Sequence, residues 1–216
     1  MKIFKYENLL IEIGDWLARN QIKLGHLSHI QASKERWFQF EVASLILDKW
    51  ERVVKVPYKD YYVYIERQSQ LKKKDYIDLV IAPEIDDKKK NYPINWDESG
   101  IIEFKTFGYY LKPKGSPRVN ISTSVENDFK KRKGIKFKDM IAITLCNHNV
   151  DEDEWIDHQD HQEVIAKIET DLKGIVEDMN EAGYLLPPNI HTIPYTKASY
   201  RGILFGFYSC AVWIKK

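Results

Sequence analysis

Two short apolar segments, Tyr76-Ile77-Asp78-Leu79-Val80-Ile81 and Ile101-Ile102-Glu103-Phe104-Lys105, have the length and branched side chains of core strands, yet each carries charge inside it. Successive side chains of a strand point to opposite faces, so Glu103 and Lys105 share one face while Ile102 and Phe104 occupy the other. Burying an ionised carboxylate without a partner is costly. Two carboxylates and an ammonium in strands this hydrophobic therefore compensate one another, hold a cation, or do both. The plainer alternative for Glu103 and Lys105 is a structural ion pair at a sheet edge.

The pattern of an acid, any residue and then lysine occurs five times in the chain. Two occurrences fall in the polar stretch Asp86 to Lys89, and two more, at Asp128 and Asp171, fall in expected helices. Glu103-Phe104-Lys105 alone lies inside an apolar strand pattern, so its context selects it.

A chain of 216 residues with 44% hydrophobic content can bury a substantial core and is expected to form one domain. No window approaches the roughly 18 consecutive apolar residues of a membrane span, and Met1-Lys2-Ile3-Phe4-Lys5 lacks a signal-like apolar core. A cytoplasmic protein with no membrane partner is the expectation. Cys146 and Cys210 offer neither a zinc spacing nor a disulfide framework and read as buried thiols.

The formal net charge of +1 hides an asymmetry. Lys105 to Lys138 holds ten Lys or Arg against Glu126 and Asp128, whereas His148 to Glu181 holds twelve acids against Lys167 and Lys173. The basic block follows the charged strand directly and could hold a polyanion beside it. A solvated basic surface is the competing reading.

The spacing predicts a packing helix over 7–20, through Leu9, Leu10, Ile13, Trp16 and Leu17. A second helix is expected after Ser33, running to about Trp50, apolar over most of its circumference, with Glu41 anomalous in its middle. Val53–Val56 and Tyr61–Ile65 read as a possible hairpin. The Asp78 and Glu103 strands follow, separated by an irregular connection with a turn near Trp96. An aromatic and basic loop spans 108–117. A helix capped at Ser122, Thr123 or Ser124 carries Asp128, Phe129 and Lys130–Lys133. Met140–Cys146 is a buried strand, Val164 to Met179 an amphipathic helix, and Ile203–Ile214 a final β segment.

In that order, residues 33–146 resemble the PD-(D/E)XK nuclease superfamily. The likeness rests on Glu41 on the first helix, Asp78 on a strand, Glu103 and Lys105 on the next, and the Asp128 helix before the Met140 strand. Ile77 stands where the superfamily's proline would precede Asp78. The resemblance implies a mixed α/β fold with a restriction-endonuclease-like αβββαβ core, its mixed central sheet flanked by helices. The domain would span 1–216, with a core of about 33–146, the helix 7–20, and a C-terminal extension over 160–216.

The implied activity is Mg2+-dependent hydrolysis of DNA phosphodiesters, with Mn2+ a possible substitute. The enzyme would be an endonuclease of restriction or defence type and, by analogy with other single-domain nucleases of this size, a homodimer, with partner proteins of a defence or repair system. Magnesium takes one or two carboxylates together with waters and phosphate oxygens, a role that Asp78 and Glu103 suit. The backbone carbonyl of Phe104 would add a ligand. Lys105 would orient the attacking water or neutralise charge on phosphorus, and Glu41 would act through a metal-bound water or a second ion. Lys112, Lys114, Arg118, Lys130, Lys131, Arg132 and Lys133 are the expected nucleic-acid contacts.

Two other functions fit the same residues. One is a nucleic-acid-binding or assembly protein that keeps the fold without cutting. The other is a structure-specific repair or recombination nuclease. Glu154, Asp157, His158, Asp160 and His161 form a second, weaker candidate metal cluster. No phosphate-cradling Gly-rich loop, Rossmann fingerprint or Ser-His-Asp nucleophile pattern occurs.

Overall fold

The computed structural model describes residues 2–20, 22–24, 34–68, 75–83, 94–109, 118–132, 134–149, 183–185, 191–192, 196–200 and 203–215, together with 170, 173, 174, 177, 180 and 181. The fold is mixed α/β. Helix α1, Tyr6–Arg19, buries Leu9, Leu10, Ile13 and Leu17, which recur at the spacing that puts them on one stripe. Helix α2, Lys34–Asp48, buries Phe38, Val42, Ala43, Leu45 and Ile46 but leaves Phe40 and Leu47 exposed. Its expected cap, Ser33, lies outside the described residues, as does much of the expected helix over Val164 to Met179.

The segment expected to open a hairpin at Val53 folds otherwise. Trp50–Val53 forms a single helical turn, α3, and Val54 makes an isolated antiparallel bridge with Phe4. Trp50 donates its Nε1–H to the Val56 carbonyl at 2.7 Å, and Val53, Val54 and Val56 are buried. These valines are apolar because they lie between helix and N-terminus, a burial that alternation alone cannot distinguish from that of a strand.

The sheet contains β1 (Tyr62–Gln68), β2 (Tyr76–Ala82), β3 (Gly100–Tyr109) and β4 (Asp139–Asn149). It continues with β5 (Tyr184–Leu185), β6 (His191–Thr192), β7 (Thr196–Tyr200) and β8 (Ile203–Lys215). The order is β1-β2-β3-β4-β8-β5, with β6 and β7 also pairing with β8. Strands β1, β2 and β3 form an antiparallel meander, whereas β3 and β4 are parallel. Parallel neighbours need a crossover, here supplied by helix α4, Arg118–Lys131, which starts earlier than its three candidate caps suggested.

Alternation along the strands divides the sheet into two faces. Leu79, Ile81, Ile102, Phe104, Ile141, Ile143 and Leu145 join α1 and α2 in one core, with Phe38 meeting Phe104 edge-on at 5.5 Å between ring centroids. The other face carries Val80, Ile101 and Ala142, and α4 packs on β3 there, burying Val125 and Phe129. Asp78, Glu103 and Lys105 belong to this second face.

The N-terminal segment is fastened where β3 and β4 begin. The buried carboxylate of Asp139 accepts N–H groups from Ile3 at 3.2 Å and Phe4 at 3.1 Å. Gly100 lies against the same residues, and a Cβ there would come within 2.7 Å of the Phe4 ring and 2.8 Å of Ile3 Cβ. Glycine is required at this position by close approach. Among the described residues no helix is long and apolar enough to cross a membrane.

Candidate active site

The sheet is interrupted at Asp78. Leu79 pairs with Ile102, and continuing that antiparallel register puts Asp78 abreast of Glu103 on the same face. At that position the Asp78 carboxylate accepts the Phe104 N–H, with 2.7 Å between nitrogen and Oδ2. On the other side of β2, Ile65 pairs with Leu79 and Arg67 with Ile77, while Glu66 between them drops out of the pairing. Glu66 has φ of 50°, a left-handed backbone that is unusual for a non-glycine residue, and its carboxylate meets Arg36 at 2.6 Å. A side-chain acceptor thus replaces a strand rung where two strands separate.

Glu103 is 2% exposed and lies between opposing influences. Burial holds its carboxyl well above the usual range, and the Asp78 charge raises it further, while Arg132 pulls it down. Burial likewise raises Asp78, against the Phe104 N–H, the Lys105 charge and a hydrogen bond from Glu103.

Arg132 organises the back of this pair. Its Nε donates to Glu103 at 2.5 Å, Nη1 to Asp75 at 2.5 Å and Nη2 to the Tyr76 carbonyl at 2.8 Å. Expected from sequence to contact DNA, Arg132 is instead 2% exposed and committed to this network. The guanidinium's planar fork suits three fixed acceptors, whereas its place in a basic run gave no sign of inward orientation.

Lys105 points into the same region from β3. Its ammonium is 2.7 Å from Asp128 of α4, whose other oxygen is 3.1 Å from Lys131. Burial lowers the Lys105 pKa, but the Asp128 charge and hydrogen bond, together with Glu35 and Asp78, outweigh it, so the group remains an ammonium. Glu35, near the start of α2, accepts the Thr106 N–H. Its carboxyl is raised chiefly by burial, against the lowering influence of Lys105 and with further raising by Asp78 and Asp128.

The helix acid near the site is therefore Glu35. Glu41 pairs with Lys23 and accepts the Trp37 Nε1–H at 3.0 Å. Six positions separate the two acids, which sets them about 120° apart around the helix and about 9 Å along it. The helix terminus reaches the strand break, while Glu41 faces Trp37 and Lys23. Glu35 sits at the charged entry of the helix, where an acid is unremarkable in sequence. Gln39, one turn further on, is 2% exposed, and its Oε1 has no hydrogen-bond partner among the described residues. Thr144, abreast of Lys105, has a buried hydroxyl in the same condition.

The other expected contacts disperse. Lys130 is exposed and pairs with Glu126 at 2.8 Å, and Lys131 is exposed beside Asp128. Lys112, Lys114, Lys133, the Arg118 side chain, the Glu154 to His161 cluster and the side chains of Cys146 and Cys210 lie outside the described residues. The chain matches no protein-family model, no curated protein and no solved structure at significant similarity.

Among the described residues, no group of three His, Cys, Asp or Glu side chains is arranged to hold a metal by itself. Two abutting carboxyls with hard oxygens nevertheless suit an ion that retains most of its waters, as magnesium does. Asp78 and Glu103 each have one oxygen engaged by a fixed donor, so their orientation is set from behind. Were all groups ionised, Glu35, Asp75, Asp78, Glu103 and Asp128 would outnumber Lys105, Lys131 and Arg132 by two charges among the described residues. A divalent cation matches that excess.

Proposed function

We propose that this chain is a divalent-metal-dependent endonuclease that hydrolyses DNA phosphodiesters. The observation that carries the reading is Asp78 abreast of Glu103 at a break in the strand ladder, with Lys105 and Glu35 electrostatically coupled to the pair. The order α2, β1, β2, β3, α4, β4 supports the PD-(D/E)XK resemblance and a restriction-endonuclease-like core.

Asp78 and Glu103 would hold magnesium, with the Phe104 carbonyl available to it. When bound, the ion would polarise a phosphoryl oxygen and make a coordinated water more acidic. Lys105, kept protonated by its carboxylate neighbours, would donate to the oxygens on which negative charge develops. Glu35, a carboxyl held above its ordinary range, would take a proton from the attacking water as its oxygen bonds to phosphorus and the P–O bond to the leaving oxygen breaks, the leaving oxygen taking a proton from solvent water. Arg132 would hold Glu103 in place. Restriction or defence-type cleavage in a homodimer is the form this activity would take.

A second reading has its own support. Arg132 with Glu103, and Asp128 with Lys105, pair these charges internally, as in a nucleic-acid-binding protein that keeps the fold without cutting. Incubation with supercoiled, linear and branched DNA and with RNA, with and without Mg2+, followed by sequencing of product ends, separates the readings. Metal-dependent cleavage lost in Lys105→Ala supports the hydrolase; salt-sensitive binding without cleavage in either protein supports the binding module.

A further inference from the structure

The basic block that follows β3 divides in the folded chain. Lys130 is paired with Glu126, Lys131 with Asp128, and Arg132 is buried against Glu103 and Asp75. Lys136 and Lys138, further along, are exposed and line a cleft of about 630 Å³. Lys2, brought from the N-terminal segment, is exposed on the same lining. None of these three lysines makes an ion pair with a described acid; Lys2 acts on Asp139 through space.

The backbone beneath the lysines is tied down. The Lys138 N–H donates to the Ser99 carbonyl at 2.8 Å, and the Ile135 N–H to the Arg132 carbonyl at 3.0 Å. Lys2 precedes Ile3 and Phe4, whose N–H groups engage both oxygens of Asp139. Asp139 and Asp97 are the acids of the lining, so three lysines against two carboxylates give it a formal charge of +1. Asp139 is 7% exposed and turned onto those N–H groups, and Lys55 acts on it from nearby as a further cation.

The cleft lies along the strand from the candidate site. Its lining includes Met140, which pairs with Ile101 on the face that carries Glu103. Ala142, abreast of Glu103, is two residues further along β4, a distance of about 7 Å. That is the axial rise of about two nucleotides in one strand of a duplex.

We propose that Lys2, Lys136 and Lys138 form an anchor for backbone phosphates of DNA, about two nucleotides from the linkage held at Asp78 and Glu103. The inference rests on the proposed function for its substrate and deepens it by naming the contact that positions the strand. Lysine meets a phosphate as a point charge with three donors and reads no base, so the anchor sets register without selecting sequence.

The test is binding of the full chain, in EDTA, to a short fluorescein-labelled duplex, read by anisotropy over a series of salt concentrations. Each lost phosphate contact flattens the slope of log affinity against log salt concentration by about 1. Lys2→Ala is therefore expected to lose about 1 in slope, and Lys136→Ala combined with Lys138→Ala about 1 to 2. The corresponding Arg variants keep the wild-type slope, as does Lys49→Ala, which removes an exposed partner of Asp48 away from the cleft. Circular dichroism establishes that each variant is folded.

Wild-type slopes in the folded Ala variants, equal flattening in Lys49→Ala, or a wild-type protein that binds no duplex overturns the anchor. Free inorganic phosphate shares the chemistry and is titrated separately by calorimetry. Phosphate binding that disappears in the Ala variants while their DNA slopes stay wild type makes the cleft a free-anion site and overturns the anchor. Lysine-dependent slopes in a protein that never cuts DNA uphold the anchor and remove the hydrolase reading, whereas metal-dependent cleavage with unaltered slopes removes the anchor alone.

Discussion

Asp78 and Glu103 lie abreast on adjacent antiparallel strands, and at that position the Asp78 carboxylate takes the Phe104 N–H that a strand carbonyl would otherwise accept. One interaction thus opens the sheet and fixes an acid in the opening. Mutating this acid tests the chemistry more than the fold, because β2 is paired with β1 on both sides of Asp78 and with β3 from Leu79 to Ile81.

Asp78→Asn keeps the shape and an acceptor for Phe104 while removing the charge. Together with Lys105→Ala it is expected to reduce Mg2+-dependent cleavage by about a hundredfold or more, a loss typical of removing a group that stabilises developing charge. Far-ultraviolet circular dichroism should remain that of the native chain. Undiminished cutting by both variants would eliminate the proposed centre.

The two acids of α2 separate site from scaffold. Glu35→Gln is expected to lower the cleavage rate by about tenfold or more and to alter its pH profile, because it removes a carboxyl coupled to Lys105 and Asp78. Glu41→Gln is expected to leave cleavage near wild type, since its partners are Lys23 and Trp37. Rates measured across pH for both variants decide between them, and equal loss in the two would return Glu41 to the site.

Protonation supplies a test that needs no substrate. Burial raises the Glu35, Asp78 and Glu103 carboxyls above their ordinary values. A carboxyl raised on folding contributes stability that is fully present below its unfolded pKa and is lost as pH rises through the folded value. The metal-free protein should therefore lose Tm as pH rises beyond the ordinary carboxyl range, and Glu103→Gln should flatten that slope. Added Mg2+ should raise Tm more at the upper end, where fewer protons compete for the carboxylates. A wild-type slope in Glu103→Gln contradicts the assignment.

Arg132 is predicted to behave as a buried support rather than a DNA contact. Arg132→Ala removes three hydrogen bonds from a buried network and should cost about 3–5 kcal/mol in urea unfolding. Lys130→Ala, which removes an exposed partner of Glu126, should cost no more than about 1 kcal/mol. If the surviving Arg132 variant retains full stability but shows a flattened salt dependence of DNA binding, the basic-run interpretation is restored.

The N-terminal clasp gives a prediction independent of chemistry. Gly100→Ala forces a methyl against Ile3 and Phe4 and should destabilise the chain by about 1–3 kcal/mol. Asp139→Ala should have a comparable or larger effect through the two N–H groups it leaves. Denaturation midpoints near wild type for both would show that this junction contributes little.

Much of the site was readable because buried charge in an apolar strand is rare. The runs around Asp78 and Glu103 disclosed both strands and which side chains share a face, since alternation is a local property. The Lys130–Lys133 run was read as a nucleic-acid contact surface, yet Arg132 turns inward to Glu103 and Asp75. Glu41 drew attention by its apolar neighbours, whereas Glu35, at an ordinary position for a helix acid, meets Thr106 and the charges around Lys105. In both cases the deciding partner is distant in sequence.

Periodicity and local composition alone determined α1, α2, the strands β2, β3 and β4, and the common face of Glu103 and Lys105, because backbone geometry repeats every few residues. Tertiary structure decided that β2 and β3 separate at Asp78, that Arg132 is buried, that Asp128 reaches Lys105, and that Glu35 is the helix acid of the site. Those outcomes depend on desolvation and on charges brought together by register and packing, and neither quantity exists until the chain has folded.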